Sequence, residues 1–342
     1  MNCGIAGYGV YLPLYRMRAS DVAKAWGGDT KTPYEKTVPS YDEDTLTMGV
    51  EASLNALKNG RFHGNELDLV YFATTSGQYI EKECSSTLST ALGCRDSVRA
   101  MDFRGSPRAC SSAIMACFDA LQSSGARNAL VVASDRLVAR PGEPLEQLLS
   151  AGAAAFVLTS DEKRLIARID GSASYSTEFT DRYRSEAESF PRSGTERFGR
   201  DYGYTQHVTM AIKKLLDARK SSPKDYAQVV FTEFDPRRPL AIAKSLGYRE
   251  DQISRGLLSQ FVGDTGVASM FLSLSAALEK AKPGERILAV SYGDGGSDAL
   301  EFTVIDGIQE KQSGEVEKYI KSKENVDYQM HLRLNRVFGL LR

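Results

Sequence analysis

Five cysteines, Cys3, Cys84, Cys94, Cys110 and Cys117, are the first candidates for chemistry in this 342-residue chain. Their number is odd and their spacing wide, and no two form the C-x-x-C pair used for zinc binding or dithiol redox work. The pattern predicts reduced thiols in a cytoplasmic protein without a metal centre. Most such thiols fill space as small buried apolar groups, which leaves one or two at most for chemistry.

The remaining composition narrows the function class. With 42% hydrophobic and 25% charged residues the chain is ordinary globular material, long enough for two domain-sized halves. Lys plus Arg number 43 against 44 Asp plus Glu, so no basic field is available to hold a nucleic-acid backbone. The longest apolar runs, NALVVASD and AGAAAFVL, fall well short of the ~20 residues that span a bilayer. The N-terminal MNCGIAGYGVYLPLYR reads as a strand rather than an export signal.

The elements that must position any site are written twice. Cys110 to Asp135 reads as helix, Gly-containing turn and apolar strand, and Ser269 to Asp294 repeats that plan without a gap, setting Gly125 on Gly284, Arg127 on Arg286 and Asp135 on Asp294. Upstream of each, Glu66–Gly93 and Asp225–Gly247 both read as strand, loop, helix and terminal glycine. Two matched units in the same order predict a duplicated α/β fold with largely parallel sheets. A five-layer αβαβα sandwich follows, with halves at 1–163 and 164–342 and small-residue helices (SSAIMAC, TGVASM) buried between the sheets. The polar, aromatic stretch Tyr175–Tyr204 predicts a long ordered loop at a functional or contact surface. The tail from Ile308 onward is expected to dock on its own subunit or a neighbour.

Several segments carry a family resemblance: VPSYDEDTLTMGVEAS (Val38–Ser53), VYFATTSG, SAGAAAFVL (Ser150–Leu158), RPLAIAKSLGY and SYGDGGSDALEFTV (Ser291–Val304). Together they resemble archaeal-type hydroxymethylglutaryl-CoA synthases, and still more the thiolase-fold subunit of the bacterial complex that acetylates phloroglucinols. The resemblance spans nearly the whole chain and implies the thiolase fold. Family chemistry uses a cysteine that carries the acyl group, a glutamate that moves a proton during carbon–carbon bond formation, and a histidine that positions the second substrate. A thiolate attacks the thioester, a helix N-terminus lowers its pKa, and backbone N–H groups hold the oxyanion.

Carried onto this chain, the three positions are altered. The family cysteine opens the central helix of the first half, near Cys110 in RGSPRACSSAIMAC; counting back from Gly125 without gaps reaches Arg108 instead, and a two-residue slip restores Cys110. Cys110 is then either the acyl carrier, capped by Ser111 and Ser112, or a buried helix cysteine like Cys117. The glutamate position holds Thr75, whose hydroxyl has no useful pKa and which then only fills space. The histidine position holds Thr232, with Glu233 and Asp235 as nearby carboxylates. The family asparagine is Asp264, either a helix cap or a catalytic carboxylate. Arg237, Arg238 and Lys244 stand where the family holds coenzyme A phosphates. His207 matches a family histidine with a structural role.

Three readings follow from the resemblance. In the first, the chain is an acyltransferase or condensing enzyme with Cys110 as carrier and Asp264 or Glu233 replacing the lost proton-transfer pair. It binds no permanent cofactor and takes a coenzyme A thioester or related donor. In the second, it is a subunit without turnover, the structural partner of an active paralogue. The third is the hydroxymethylglutaryl-CoA synthase reaction itself. The resemblance also implies a homodimer or hetero-oligomer, with a small zinc-ribbon OB-fold protein as a further partner.

Overall fold

The computed structural model describes residues 2–30, 33–123 and 125–340. Its main sheet has nine strands: β1 (Gly4–Tyr11), β2 (Leu69–Thr74), β3 (Arg99–Arg104), β4 (Asn128–Arg136), β5 (Ala151–Thr159), β6 (Ala167–Ser176), β7 (Gln228–Phe231), β8 (Arg286–Gly293) and β9 (Gly296–Val304). In space they run β7-β8-β9-β6-β1-β5-β4-β2-β3. The predicted duplication is visible in the pairing, but the sheet is mixed rather than largely parallel, with three parallel pairings and five antiparallel ones. In the first half β2 runs parallel to β4, β4 antiparallel to β5, and β5 antiparallel to β1. In the second, β7 runs parallel to β8, β8 antiparallel to β9, and β9 antiparallel to β6. The half-sheets are not separate, because Gly4 and Ile5 pair with Arg168 and Ala167 and join β1 to β6. Strand β3 extends the first half by one strand beyond the repeat.

Six helices cover the strands: α1 (Thr45–Gly60), α2 (Cys84–Ala91), α3 (Ala109–Ser123), α4 (Gln206–Arg219), α5 (Arg237–Ser245) and α6 (Ala268–Leu278). Every residue of α6 is buried, as are Ala109, Cys110, Ala113, Ile114 and Cys117 of α3. A helix apolar on all sides belongs inside a protein, and both helices share one apolar cluster with β1, β5, β8 and β9. There Phe156 and Phe271 meet edge to face at 4.8 Å, each burial contributing about 1.5–3 kcal/mol. Two further clusters lie on the outer faces, under α1 and α2 in one half and under α4 and α5 in the other. Helix, sheet, helix, sheet, helix is the five-layer order expected from the repeat.

Helix α1 starts where Asp44 Oδ1 accepts the N–H groups of Leu46 and Thr47 while Thr47 Oγ1 accepts that of Asp44, a reciprocal cap that satisfies three free backbone donors. It lies directly on β1. A Cβ at Gly9 would sit 2.2 Å from the Ala56 nitrogen, so this approach needs glycine. The tail docks on its own chain: Glu324–Asn325 pairs with Tyr15–Arg16, and Tyr328 OH donates to Glu146 Oε1 at 2.9 Å. Among the described residues no helix is long and apolar enough to cross a membrane, and no cluster of His, Cys, Asp or Glu could hold a metal ion.

Candidate active site

A partly open cavity of about 460 Å³ lies where the two repeats meet, a size that suits a small ligand. Its walls come from the turn after β2 (Thr75–Gln78), the loop before α3 (Gly105, Pro107), the end of β4 (Arg136–Val138) and the turn after β8 (Asp294). The Tyr175–Tyr204 loop, expected at a functional or contact surface, supplies Arg182, Tyr183, Arg184, Ser189 and Pro191 to one wall. Its residues Arg182–Tyr183 and Arg192–Ser193 form a small hairpin, and a π-helical stretch over Gly199–Thr205 leads into α4.

Asp135, at the end of β4 and fully buried, organises one wall. It accepts from the Thr74 hydroxyl (2.8 Å), the Thr75 N–H (2.8 Å) and hydroxyl (2.9 Å), the Ser76 N–H (3.0 Å) and hydroxyl (2.7 Å), and the Val267 N–H ahead of α6 (3.0 Å). Burial still pushes its carboxyl above the ordinary value. Arg136, the next residue, donates to the carbonyls of Glu43 (2.9 Å) and Leu334 (2.8 Å). Its hydrogen bonds thus go to carbonyl dipoles, while burial and the nearby Arg336 lower its pKa against the opposing Asp44 and Glu43 carboxylates.

Asp294 occupies the repeat-equivalent place in the second half. With φ of 39° at Asp294 and 76° at Gly295, and Gly293 paired to Gly296, the Asp-Gly dipeptide makes the tight two-residue turn such sequences favour. Burial, and then the neighbouring Asp181 carboxyl, push the Asp294 carboxyl up to about 7. Its carboxyl hydrogen-bonds to Asp181 and accepts the Arg182 N–H. The Tyr292 hydroxyl donates to Asp181 Oδ2 at 2.7 Å.

A stability prediction follows. In the folded chain Asp294 keeps its proton to about pH 7, whereas unfolded it loses it near 3.8; the folded state binds the extra proton in between, and stability falls as pH rises across that window. Asp294→Asn removes this dependence, so its stability relative to the parent is expected to grow between pH 5 and pH 8 in urea unfolding. A constant difference across those pH values would contradict the assignment.

The residues singled out from sequence fare unequally. Cys110 is wholly buried, lies in the central core cluster rather than on the cavity, and has its thiol raised by burial; its Sγ lies 3.8 Å from the Pro107 carbonyl. The expected acyl carrier is therefore not among the residues lining this cavity. Arg108, the gapless match, turns toward the second half, where Nη1 pairs with Asp298 Oδ1 at 3.2 Å. Glu233 is also sealed in, accepting from the Leu258 and Ser259 N–H groups (2.9 and 3.2 Å) and the Ser259 and Ser273 hydroxyls (2.7 and 3.0 Å). Burial raises it to about 7, yet it holds the 257–262 segment against α6 and does not line the cavity. Asp264 is a positioning residue: Oδ2 pairs with Arg182 Nη1 at 2.8 Å, and Oδ1 accepts the Gly266 N–H at 2.9 Å.

Thr75 does line the cavity, and it does more than fill space, since its hydroxyl helps satisfy Asp135. Thr232 is buried away from it, bonded to the Tyr292 N–H at 3.3 Å and, through its carbonyl, to the Tyr204 hydroxyl at 2.7 Å. Arg237, Arg238 and Lys244 do not line it either. Arg238 pairs with Asp235 at 2.9 Å and lies over Phe234, as Arg182 does from its own side, while Lys244 pairs with Glu250 in solvent. The cations that do line the cavity are Arg136, Arg182 and Arg184. His207, expected to have a structural role, is buried and bonded to Thr177 Oγ1 at 2.8 Å and the Gly203 carbonyl at 2.6 Å.

No protein-family model matches the chain. Its sequence is 36% identical over 340 residues to hydroxymethylglutaryl-CoA synthase of Pyrococcus horikoshii, covering 98% of this chain and 97% of that one. The chain belongs to the hydroxymethylglutaryl-CoA synthase family. The enzyme of the same name from Methanocaldococcus jannaschii is 34% identical over 342 residues, covering 97% and 98% of the two chains. Among solved structures, an HMG-CoA synthase complexed with CoA superposes with a TM-score of 0.88 at 19% identity, covering 98% of this chain and 90% of that one. The 3-oxoacyl-[acyl-carrier-protein] synthase III from Aquifex aeolicus VF5 gives 0.78 at 21% identity, covering 88% and 99%. The fold is the thiolase fold, and the family is one of condensing acyltransferases. The described lining of the cavity carries hydroxyls, arginines and Asp294 and no thiol.

Proposed function

We propose that the chain is a thiolase-fold acyltransferase that takes an acyl-CoA or related thioester and forms or cleaves a carbon–carbon bond beside a carbonyl, with the acyl group passing directly between donor and acceptor. The carrying observation is a cavity at the junction of the repeats that offers a carboxyl, hydroxyls and guanidinium groups while Cys110 stays in the core. Arg136 and Arg184 supply positive charge for an anionic donor, and all five free thiols suit a reducing cytoplasm. Coenzyme A enters as a substrate rather than a resident group.

A specific observation favours a second reading. Thr75, Arg108 and Thr232 stand where the resemblance puts the family's glutamate, cysteine and histidine, which suits a partner of an active thiolase-fold paralogue, with or without a small zinc-ribbon OB-fold protein. The synthase reaction itself would need all three roles filled by other groups. Incubation with a labelled acyl-CoA, with and without subunits encoded beside it, separates these readings. The expected result is acyl transfer by the chain alone, no mass increment on Cys110, and Cys110→Ala retaining activity within about twofold, since a direct route removes no transition-state contact. Acylation of Cys110 would overturn the direct route, and activity that appears only with a paralogue would favour the second reading.

A further inference from the structure

We propose that the C-terminal helix Tyr328–Leu334 is a clamp on the cavity: latched by Tyr328, it positions Arg136 and the 137–149 wall, and so sets how tightly the cavity holds an acyl-CoA donor. The proposal rests on the acyl-CoA reading and adds to it a positioning element that lies outside the cavity. Contacts at both ends of the helix carry it.

At the C-terminal end, the Leu334 carbonyl accepts from Arg136 Nη2 at 2.8 Å, while Nη1 donates to the Glu43 carbonyl at 2.9 Å. The last carbonyls of a helix lack partners within it and carry the negative end of its dipole, so a guanidinium placed there is held. Arg136 lines the cavity, and its own N–H is fixed separately, donating to Ser76 Oγ at 2.9 Å. The direction of its side chain therefore depends on two carbonyls, and one of them belongs to the tail. Arg336, two residues past the helix, lies over the Tyr41 ring at 4.2 Å and donates to the Tyr41 carbonyl at 3.3 Å instead.

At the N-terminal end, Asp327 caps the helix by accepting the Met330 N–H at 2.7 Å. The Tyr328 hydroxyl donates to Glu146 Oε1 at 2.9 Å and accepts from the Trp26 indole N–H at 2.8 Å. Glu146 is buried in the turn Pro144–Gln147, part of the segment whose Leu137, Val138 and Leu149 line the cavity. The same carboxylate accepts the Gly142 N–H at 2.7 Å, and a Cβ at Gly142 would lie 3.2 Å from the Trp26 ring. Buried Lys36 donates to the Glu146 carbonyl, and His331 Nε2 stands 3.6 Å from Glu146 Oε1. The helix is thus bonded to the segment that walls the cavity, through residues that do not themselves line it.

Two measurements on the full chain test the clamp. Modification by phenylglyoxal, followed residue by residue by mass spectrometry, reads how firmly Arg136 is held. Tyr328→Ala is expected to raise the rate at Arg136 about tenfold, as a local opening would, and Tyr328→Phe, which loses only the hydroxyl, to raise it less. Arg219, paired with Glu301 in the second half, should keep its rate. An unchanged rate at Arg136, or an equal rise at Arg219, overturns the clamp. The second measurement is calorimetric titration with coenzyme A. Arg136→Ala and Tyr328→Ala are each expected to weaken binding about tenfold, and the double variant to fall well short of the product of the two losses, because the clamp acts largely through Arg136. Losses that multiply, or Arg136→Ala binding like the parent, overturn the proposal. If the parent binds no coenzyme A while the labelling follows the expected pattern, the acyl-CoA reading falls and the clamp on Arg136 stands.

Discussion

Asp135→Ala is expected to lower the unfolding free energy by about 3–6 kcal/mol, because at least three well-buried donors lose their acceptor at about 1–3 kcal/mol each, with some recovered by water. The Thr74 hydroxyl, the Thr75 N–H and the Val267 N–H converge on this one carboxylate from β2 and from the start of α6. It thereby ties the first half to the second. Asp135→Asn keeps one carbonyl acceptor but adds two donors among donors, and an intermediate loss is expected. Urea unfolding of the full chain gives both numbers. A loss below about 1 kcal/mol for the alanine variant would mean that water replaces the carboxylate, and that Asp135 does not carry the wall.

For Arg182→Ala the expected loss is about 3–5 kcal/mol, the range for stranding one member of a buried ion pair. Asp264 has 2% of its side chain exposed and Arg182 17%, so the remaining carboxylate has little access to water. The double variant Arg182→Ala with Asp264→Asn removes the stranded charge, and its loss should fall short of the sum of the single losses. Additive losses in a double-mutant cycle would show that the two side chains act independently. Because Arg182 also reaches over Phe234 and forms part of the cavity wall, donor binding should weaken even in preparations that remain folded.

The fold was legible because helix, turn and strand are written twice, and periodicity survives substitution at individual positions. The site was less so. Arg108 lies in the turn just before α3 and reaches Asp298 of β9, whereas Cys110, two residues on and inside the helix, faces the core. Thr232 and Glu233 follow the end of a fully buried strand, so proximity in sequence to the family's histidine gave no guide to which way either would point. Asp264 was read as cap or catalyst and proves to be the counter-charge of Arg182, a partner 82 residues earlier that no local pattern announces. The useful signal lay in the repeat itself. It set Asp135 on Asp294, and the two stand at corresponding strand ends, Asp135 buried and saturated with donors behind the wall and Asp294 lining the cavity.

The bond from Arg136 to the Leu334 carbonyl spans 198 residues, and it gives the cavity a place in the order of synthesis. A chain made from its N-terminus exposes Arg136 long before Leu334 exists. The first half can pair its strands and bury its helices, but the guanidinium keeps a water ligand until the helix Tyr328–Leu334 arrives to replace it. The cavity is therefore among the last surfaces of the molecule to reach its final charge, and a nascent chain still lacking that helix would carry the fold of the first half without its final electrostatics.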